Sequence, residues 1–424
     1  MKLNNLYTSE YAQQCDAQDS LAPFRERFHI PKDDEGEELV YFCGNSLGLQ
    51  PKITAQYISE ELDDWATLGV EGHTEAKHPW MPYHEFLTEN MAKLVGAKPS
   101  EVVVMNGLTA NLHLMMVSFY QPTPERYKII IEKDAFPSDK YAVESQLKFH
   151  GFDPNDGLIL WSPPHGEEIC RMEELEKIMN EHGNEVALIM IGTTNYYSGQ
   201  HFPMKQIVDL GHHHGSLVGF DLAHGVGNIQ PDLHKVGADF AVWCTYKYLN
   251  SGPGSLGGCF VHERHANKPE LNRFAGWWGH NKKTRFNMRH EFDVLPGAEG
   301  WQLSNPPILS MAAIRASLDI FNDAGFEKLR EKSIKLTGYL EKLVNQLDNE
   351  RINIITPTNP NERGCQLSIQ VKDADKSLHS QLTDAGVISD WREPDVIRVA
   401  PVPLYNSFMD VYKFVKRLEK VLNT

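Results

Sequence analysis

Two stretches of the sequence decide the fold class: GFDLAHGVG at residues 219–227 and TYKYLNSGPGSLGG at residues 245–258. The first carries Asp221 near the end of an apolar run, 217–222, and the second carries Lys247 just after another, 240–244. Apolar runs of this length are typical of buried strands. Open α/β sheets bind ligands at the carboxyl ends of their parallel strands. We therefore expect Asp221 and Lys247 to face one pocket from neighbouring strands.

The same kind of sequence pattern extends through the middle of the chain. Short apolar runs alternate there with amphipathic stretches such as 172–181 and 204–214. This alternation predicts an α/β fold, with a mostly parallel sheet and helices on both of its faces. The predicted strands are Val102–Met105, Lys128–Ile131, Val186–Ile191, Leu217–Leu222, Phe240–Cys244 and Gly258–His262.

The alternation of apolar runs and amphipathic stretches ends near Pro306 and Pro307, within the segment SNPPI. Prolines interrupt a preceding element, so this segment is the predicted hinge. We predict an N-terminal arm at residues 1–40, a large cofactor-binding domain at residues 41–305 and a smaller α+β domain at residues 306–424. The smaller domain is predicted from strand-like runs at 352–355 and 365–371 and from amphipathic helices at 326–347 and 410–422.

A lysine and an aspartate at neighbouring strand ends suit the chemistry of pyridoxal 5'-phosphate (PLP). Lys247 can form a Schiff base with the cofactor aldehyde and later move protons. Asp221 can keep the pyridine nitrogen protonated, so that the ring accepts electrons. His224, three residues after Asp221, can brace the carboxylate or the ring hydroxyl. The sequence therefore predicts a PLP enzyme with Lys247 as its Schiff-base residue.

Two further segments complete the predicted cofactor site. NGLTANLHL (106–114) places Gly107 and Thr109 where a strand ends and a helix begins, and free N–H groups at a helix N-terminus bind phosphate. AFPSDKY (135–141) supplies Phe136, which can stack on a planar ring. Each piece alone is common, since a lone lysine in a loop is usually surface charge. Their order along the chain carries the prediction.

This order resembles the class-V branch of the aminotransferase-like PLP enzymes of fold type I, and more narrowly the kynureninase family. The motifs that carry the resemblance are GNSLGL (44–49), AFPSDKY (135–141), NYYSGQ (195–200), GFDLAHGVGN (219–228), TYKYLN (245–250), GWWGH (276–280), SNPPI (304–308) and RVAPVPLYNSF (398–408). It implies a mostly parallel sheet of the seven-stranded type. It also implies a hydrolase that cleaves L-kynurenine or 3-hydroxy-L-kynurenine into L-alanine and anthranilate or 3-hydroxyanthranilate, in tryptophan degradation and NAD biosynthesis.

The resemblance also implies a role for individual residues, with Lys247, Asp221 and Tyr246 as the catalytic ones. Arg398 would clamp the substrate α-carboxylate, which suits its planar guanidinium fork. The implied cofactor-binding residues are Leu108, Thr109, Phe136, Pro137, Ser138, Asp139, Asp221, His224, Tyr246, Lys247, Trp277 and Asn305. The implied substrate-binding residues are Ser46, His73, Asn305 and Arg398.

Three consequences of the resemblance concern single positions. Trp277 and Asn305 are similar to residues that reach the site from a partner subunit, which implies a homodimer with shared active sites. His73 and Asn305 resemble a pocket that favours the 3-hydroxylated substrate, because both can hydrogen-bond a ring hydroxyl. Family members often carry Ser or Thr where this chain has Gly192. A hydroxyl contact there is either absent or made by the adjacent Thr193.

Composition and charge exclude several kinds of partner and location. The formal net charge of −16 argues against nucleic acid or an anionic membrane as the main partner. The first residues lack the apolar core of a signal peptide, and no apolar run reaches the ~18 residues of a membrane span. Six cysteines without a CxxC pair favour reduced thiols and a cytoplasmic location. No metal site is predicted, because the run 212–214 of three histidines is typical of a helix C-terminus.

Three other functions stay open from the sequence. A cysteine desulfurase or selenocysteine lyase would need a mobile nucleophilic cysteine late in the chain, and Cys365 at the start of a predicted strand reads as packed. An aminotransferase would convert PLP to its amine form with an α-keto acid. A binding protein without turnover is the third possibility, against which Lys247, Asp221 and Arg398 argue together.

Overall fold

The computed structural model describes residues 6–268, 270–288, 290–347 and 350–423. Five residues of the predicted arm (1–5), two of the predicted large domain (269 and 289) and three of the predicted small domain (348, 349 and 424) lie outside the described residues. The strands are β1 Val40–Tyr41, β2 Val102–Val104, β3 Lys128–Glu132, β4 Leu158–Trp161, β5 Val186–Gly192, β6 Leu217–Asp221, β7 Phe240–Cys244, β8 Gly257–Val261, β9 Ile352–Ile354, β10 Leu367–Val371, β11 Val387–Ile388, β12 Asp390–Arg392 and β13 Val396–Val399. The α-helices are α1 Ser9–Ala17, α2 Ile53–Leu68, α3 Gly72–Glu75, α4 Glu85–Val95, α5 Leu108–Phe119, α6 Pro137–Phe149, α7 Pro154–Gly157, α8 Met172–His182, α9 Met204–His213, α10 Leu233–Val236, α11 Glu263–Ala266, α12 Ile308–Ala324, α13 Phe326–Asn345, α14 Lys376–Asp384 and α15 Phe408–Leu422.

A seven-stranded sheet in the order β2-β8-β7-β6-β5-β3-β4 forms the centre of the molecule. Strands β3 to β7 run parallel, and β8 is antiparallel to both of its neighbours. The predicted mostly parallel sheet is therefore confirmed, and the six predicted strands differ from the observed bounds by no more than one residue at either end. The sequence prediction left out β4, an edge strand formed by the short apolar run Leu158–Trp161, because a run of four apolar residues does not by itself distinguish a strand from a helix.

Helices cover both faces of this sheet, which explains why its parallel strands are almost entirely apolar. Val218 and Phe220 of β6 point to the face covered by α9, and both are fully buried. Phe240 and Val242 of β7 point to the opposite face, which α5 covers. Because side chains alternate along a strand, two separate hydrophobic cores form on the two sides of one sheet.

A second sheet, antiparallel and in the order β12-β13-β10-β9, packs with α13, α14 and α15 around a third hydrophobic core. The predicted strands near 352 and 365 are thereby confirmed as β9 and β10, whereas β12 and β13 were not predicted. Helix α1 of the arm packs on α15, where the Asp16 carboxylate accepts from the Phe408 and Met409 amides at 2.7 and 3.0 Å. Helix α12 packs against α2 and α4. The domain boundary at residues 305 and 306 stays a prediction.

The carboxyl ends of β3, β5 and β6 lie side by side at one edge of the central sheet. Cross-strand pairing sets Gly192 directly beside Asp221, and the turn after β7 brings Lys247 to the same edge. No helix among the described residues has both the length and the apolar character that crossing a membrane requires. The fold thus gathers the predicted chemical residues at one edge.

Candidate active site

Lys247 lies in a cleft at the carboxyl edge of the central sheet, with an open volume of about 540 Å³. Its backbone turn is held by the segment GNSLGL, in which the Gly48 amide donates to the Tyr246 carbonyl at 2.8 Å. A side chain at Gly48 would collide with this turn, since its Cβ would lie 2.3 Å from the Lys247 carbonyl oxygen. Nine of the predicted residues line the cleft: Leu108, Thr109, Phe136, Ser138, Asp139, Asp221, His224, Tyr246 and Lys247.

Asp221 and Asp139 form a buried carboxyl pair in the floor of the cleft. Their carboxyl groups lie within reach of each other, and a hydrogen bond between two carboxyl groups needs one proton. Burial, and then the Asp221 charge, raise the pKa of Asp139 well above its usual range, so Asp139 holds the proton. Burial also raises the pKa of Asp221, but Asp139, the Ala223 amide at 2.5 Å and the Lys247 charge oppose that rise. The pair therefore presents a carboxylate at Asp221.

His224 lies next to the lysine amine, with its Nε2 atom 3.1 Å from Lys247 Nζ. Burial, followed by the charges of Lys247, Arg398 and Arg392, lowers the pKa of His224 well below its usual range. A neutral imidazole can accept a hydrogen bond, so His224 can hold the lysine amine in place. The sequence assigned it to the carboxylate or the ring hydroxyl.

Two helix N-termini face the other end of the cleft. Helix α5 follows Gly107, which has no side chain to cap its first N–H groups, and α6 begins at Pro137 without a side-chain cap. The hydroxyls of Thr109 and Ser138 lie 2.9 Å apart at these two ends. Free N–H groups, two helix dipoles and two hydroxyls suit an anion such as a phosphate.

Several buried groups suit the planar ring of PLP. Phe136 borders the cleft, and its ring centroid lies 5.8 Å from Lys247 Nζ. Thr194 Oγ1 and Asp139 Oδ1 are buried at the cleft without a hydrogen-bond partner among the described residues. Buried polar atoms of this kind are costly unless a ligand supplies a partner. The residues present therefore fit PLP, with an aspartate, a lysine and a phosphate cradle in their expected order.

The position of Gly192 has a physical reason that the sequence did not reveal. Its amide donates to both Glu132 carboxylate oxygens at 3.2 and 3.3 Å, and a Cβ there would lie 2.8 Å from one of them. A serine or threonine would collide with Glu132. The adjacent Thr193 is fully buried, and its hydroxyl donates to the Asp221 backbone carbonyl at 3.3 Å. Thr193 therefore does not offer its hydroxyl to the cleft.

Arg398 and Ser46 lie near the cleft without lining it. Arg398 is buried, forms a salt bridge with Asp390 and donates to the Tyr196 carbonyl at 2.6 Å. Tyr196 lines the cleft, and its ring centroid lies 5.7 Å from the guanidinium carbon of Arg398. Ser46 is exposed, in the segment that contacts the Lys247 turn through Gly48. Pro137, the first residue of α6, also stands beside the lining residues.

His73, Trp277 and Asn305 do not join the cleft within one chain. His73 is part-buried beside Trp80, and its Nδ1 atom contacts the Val70 carbonyl at 2.9 Å. Trp277 keeps 44% of its surface exposed, and Asn305 is exposed. Their assignment to the cofactor and substrate stays a prediction.

The sequence missed part of the lining, namely Glu132, Gly192, Thr194, Tyr196 and Ala223. Signals existed for two of them, since Tyr196 belongs to NYYSGQ and Ala223 lies between Asp221 and His224. Glu132 lies one residue beyond the predicted strand Lys128–Ile131, and its inward direction depends on strand pairing.

Other candidate groups lie outside the cleft. Helix α9 ends at His213, as the histidine run predicted, and His212 bonds to Asp239. Glu101, His234 and His262 cluster elsewhere, but the Glu101 carboxylate already accepts from two backbone amides and from His234. The prediction of no metal is untested.

Cys365 is buried, and its amide donates to the Asn228 side chain. Burial raises the pKa of its thiol to about 11. This confirms the prediction that Cys365 is packed, because a buried neutral thiol is a poor nucleophile.

Solved structures with the same architecture include PLP enzymes. A C-DES mutant with glycine covalently linked to the PLP cofactor has a TM-score of 0.77, with 15% identity over 90% of this chain and 96% of that one. A cysteine desulfurase from Thermococcus onnurineus has a TM-score of 0.75, with 16% identity over 91% and 95%. The desulfurase CsdA from Escherichia coli has a TM-score of 0.76, with 15% identity over 95% and 98%. At this identity the likeness shows the fold alone, and it confirms the predicted fold type I.

Sequence relatives give a narrower answer. Proteins named kynureninase from Myxococcus xanthus and Koribacter versatilis are each 56% identical to this chain, over 97% and 98% of both sequences respectively. One from Flavobacterium psychrophilum is 51% identical over 97% of this chain and 98% of its own. The family described as Kynureninase C-terminal domain matches residues 329–418. On these matches, and with a cleft whose residues fit PLP, the chain belongs to the kynureninase family.

Proposed function

We propose that this chain is a PLP-dependent hydrolase that converts L-kynurenine or 3-hydroxy-L-kynurenine into L-alanine and anthranilate or 3-hydroxyanthranilate. The observation that carries the proposal is the placement of Lys247, Asp221 and His224 in one cleft of a kynureninase-family chain. When bound, PLP supplies an aldehyde that captures amines and a ring that accepts electrons from bonds at the substrate α- and β-carbons.

The residues of the cleft divide the work. Lys247 would hold the cofactor through its Nζ amine, and the same amine would move the proton at the substrate α-carbon. The Asp221 carboxylate pairs with the ring nitrogen, and Asp139 keeps that carboxylate hydrogen-bonded. Thr109, Ser138 and the two helix N-termini hold the phosphate, and Tyr246 closes the same end.

Arg398 is the proposed clamp for the substrate α-carboxylate. It lies behind Tyr196 with its charge offset by Asp390, so substrate binding would exchange one carboxylate partner for another. This clamp would hold the α-carbon proton within reach of Lys247.

The direct test incubates the purified protein with PLP and either kynurenine, and measures L-alanine together with anthranilate or 3-hydroxyanthranilate. We expect the higher kcat/KM for the 3-hydroxylated substrate, because His73 and Asn305 can both hydrogen-bond its ring hydroxyl. A higher kcat/KM for unsubstituted kynurenine would contradict that preference. Absence of alanine with both substrates would contradict the function.

Sulfide release from cysteine is the alternative chemistry that fold likeness raises. The structure argues against it, since Cys365 is 1% exposed and its thiol is neutral at physiological pH. Cys365→Ala should retain kynurenine hydrolysis, whereas a cysteine desulfurase that depended on this thiol would lose all sulfide release.

We further propose a homodimer whose subunits complete each other's sites with Trp277 and Asn305. Support comes from exposed apolar side chains near Trp277 in the chain, namely Phe274, Met288 and Phe286, whose ring packs against Trp277, because exposed apolar patches mark interfaces. Mixing Lys247→Ala and Asn305→Ala subunits tests the sharing. A mixed dimer regains one intact site if Asn305 acts across the interface, so up to about a quarter of wild-type activity should return; no recovery would contradict the sharing.

Six free thiols suit a reducing compartment and support a cytoplasmic location.

A further inference from the structure

Glu132 is a buried carboxyl that the proposed mechanism does not use. It ends β3, lines the cleft and is 4% exposed. Its two oxygens accept from the Gly192 amide, and Gly192 pairs directly with Asp221 on the next strand. The sheet therefore sets Glu132, Gly192 and Asp221 in a row across three neighbouring strand ends.

Among the described residues no cation forms a salt bridge with this carboxyl, whose hydrogen bonds come from the Gly192 amide. The groups that face it carry negative charge when they ionise: Asp221, Asp134, Asp139 and the Cys170 thiol. Lys247 and His224, the basic groups of the cleft, stand beside Asp221 instead. A buried carboxyl in such surroundings favours its protonated form.

Burial above all, and the nearby Asp221 and Asp134 charges, raise the pKa of Glu132 to about 7 although backbone amides oppose the rise. A protonated carboxyl has one O–H to donate. The Gly192 amide already donates to the carboxyl oxygens, and the carboxyl itself lines the cleft. The proton is therefore available to a ligand in the cleft.

We propose that Glu132 is a positioning residue of the cofactor site, which donates a hydrogen bond from its carboxyl group to an oxygen of the bound cofactor ring. This inference rests on the proposed function, because it needs PLP in the cleft. It also gives Gly192 a role, since a Cβ at this position would push the Glu132 carboxyl out of its place.

Glu132→Gln and Glu132→Ala distinguish the hydrogen bond that Glu132 donates from the charge that it carries when ionised. The glutamine amide still donates and still accepts from Gly192, but it does not titrate, whereas alanine removes the group. We expect Glu132→Gln to bind PLP within about threefold of the wild type, and Glu132→Ala to bind it about tenfold more weakly. Gly192→Ala should resemble Glu132→Ala with the glutamate still present, since the added Cβ displaces the carboxyl.

The decisive measurement is the visible absorbance of bound PLP as a function of pH. The wild type should show a transition with a midpoint near 7, and Glu132→Gln should lack it. The matched control is Glu144→Gln, which removes a part-buried glutamate of α6 that pairs with Lys140 and should titrate like the wild type. A purely structural role for Glu132 would lower thermal stability without changing this transition.

Identical titrations of the wild type and Glu132→Gln, in a protein that binds PLP and turns over kynurenine, would overturn this inference alone. A wild-type protein that takes up no PLP would overturn both the proposed function and the inference. Loss of the transition in Glu132→Gln, with PLP affinity retained, would support the inference.

Discussion

Asp139 allows a specific test of the cleft electrostatics, because we assign it one role, which is to donate a hydrogen bond to the Asp221 carboxylate. A hydrogen bond to a charged group is worth about 1.5–3 kcal/mol when it is buried. That range corresponds to about 10- to 150-fold in a binding constant. Asp139→Ala should therefore weaken PLP binding by at least tenfold and lower kcat, since Asp221 loses the partner that keeps it ionised against burial.

Asp139→Asn separates the proton from the charge at the same position. Its amide donates to Asp221 as the protonated acid does, so PLP binding should stay within about threefold of the wild type at pH 7.5. The assay titrates apoprotein with PLP and follows visible absorbance, alongside kcat for kynurenine. Asp209→Asn serves as control, since Asp209 is exposed and pairs only with Lys205 on α9. The reasoning is refuted if Asp139→Asn is as impaired as Asp139→Ala, because Asp139 would then act as an anion.

Three further outcomes follow from single positions. Lys247→Ala should abolish turnover and the covalent PLP absorbance, as measured by borohydride trapping and kynurenine hydrolysis; full activity would contradict its assignment. Gly219→Ala should destabilise the protein by about 1–3 kcal/mol, seen as a lower melting temperature, since the new Cβ would lie 2.1 Å from the Phe240 ring. The third outcome concerns Glu299. Burial raises the pKa of its carboxyl, but hydrogen bonds from a histidine and a lysine outweigh burial and lower that pKa from 4.5 to about 2. Its stabilisation is present above pH 4.5 and lost toward pH 2, so Glu299→Gln should lower the melting temperature at pH 7 and have little effect near pH 2.

The sheet was predictable because its strands are short, continuous apolar runs with helix-length spacers. Such runs need little tertiary context, and the structure moved the ends of six predicted strands by at most one residue. The edge strand β4 and the short strands β12 and β13 were not predicted; each is a run of three or four residues whose strand conformation depends on pairing with a neighbouring strand.

Some residues of the candidate site were likewise predictable from the sequence, and others were not. Asp221 and Lys247 were identifiable because each follows a strand, and parallel strands end at a common edge. Glu132 was not, although it too ends a strand: its direction depends on the β3–β5 pairing and on the missing side chain at Gly192. Which of two buried aspartates keeps the proton was likewise fixed by their approach in space.

The sequence by itself determined the α/β fold, the order of the cofactor motifs and the lysine that should hold PLP. Those features depend on periodicity and on neighbours along the chain, which a sequence records directly. Only the tertiary structure decided how protons are shared among Glu132, Asp139 and Asp221. The charge state of a buried carboxyl depends on desolvation and on distances to other charges, and residues 89 positions apart acquire such distances only when the strands that carry them pair.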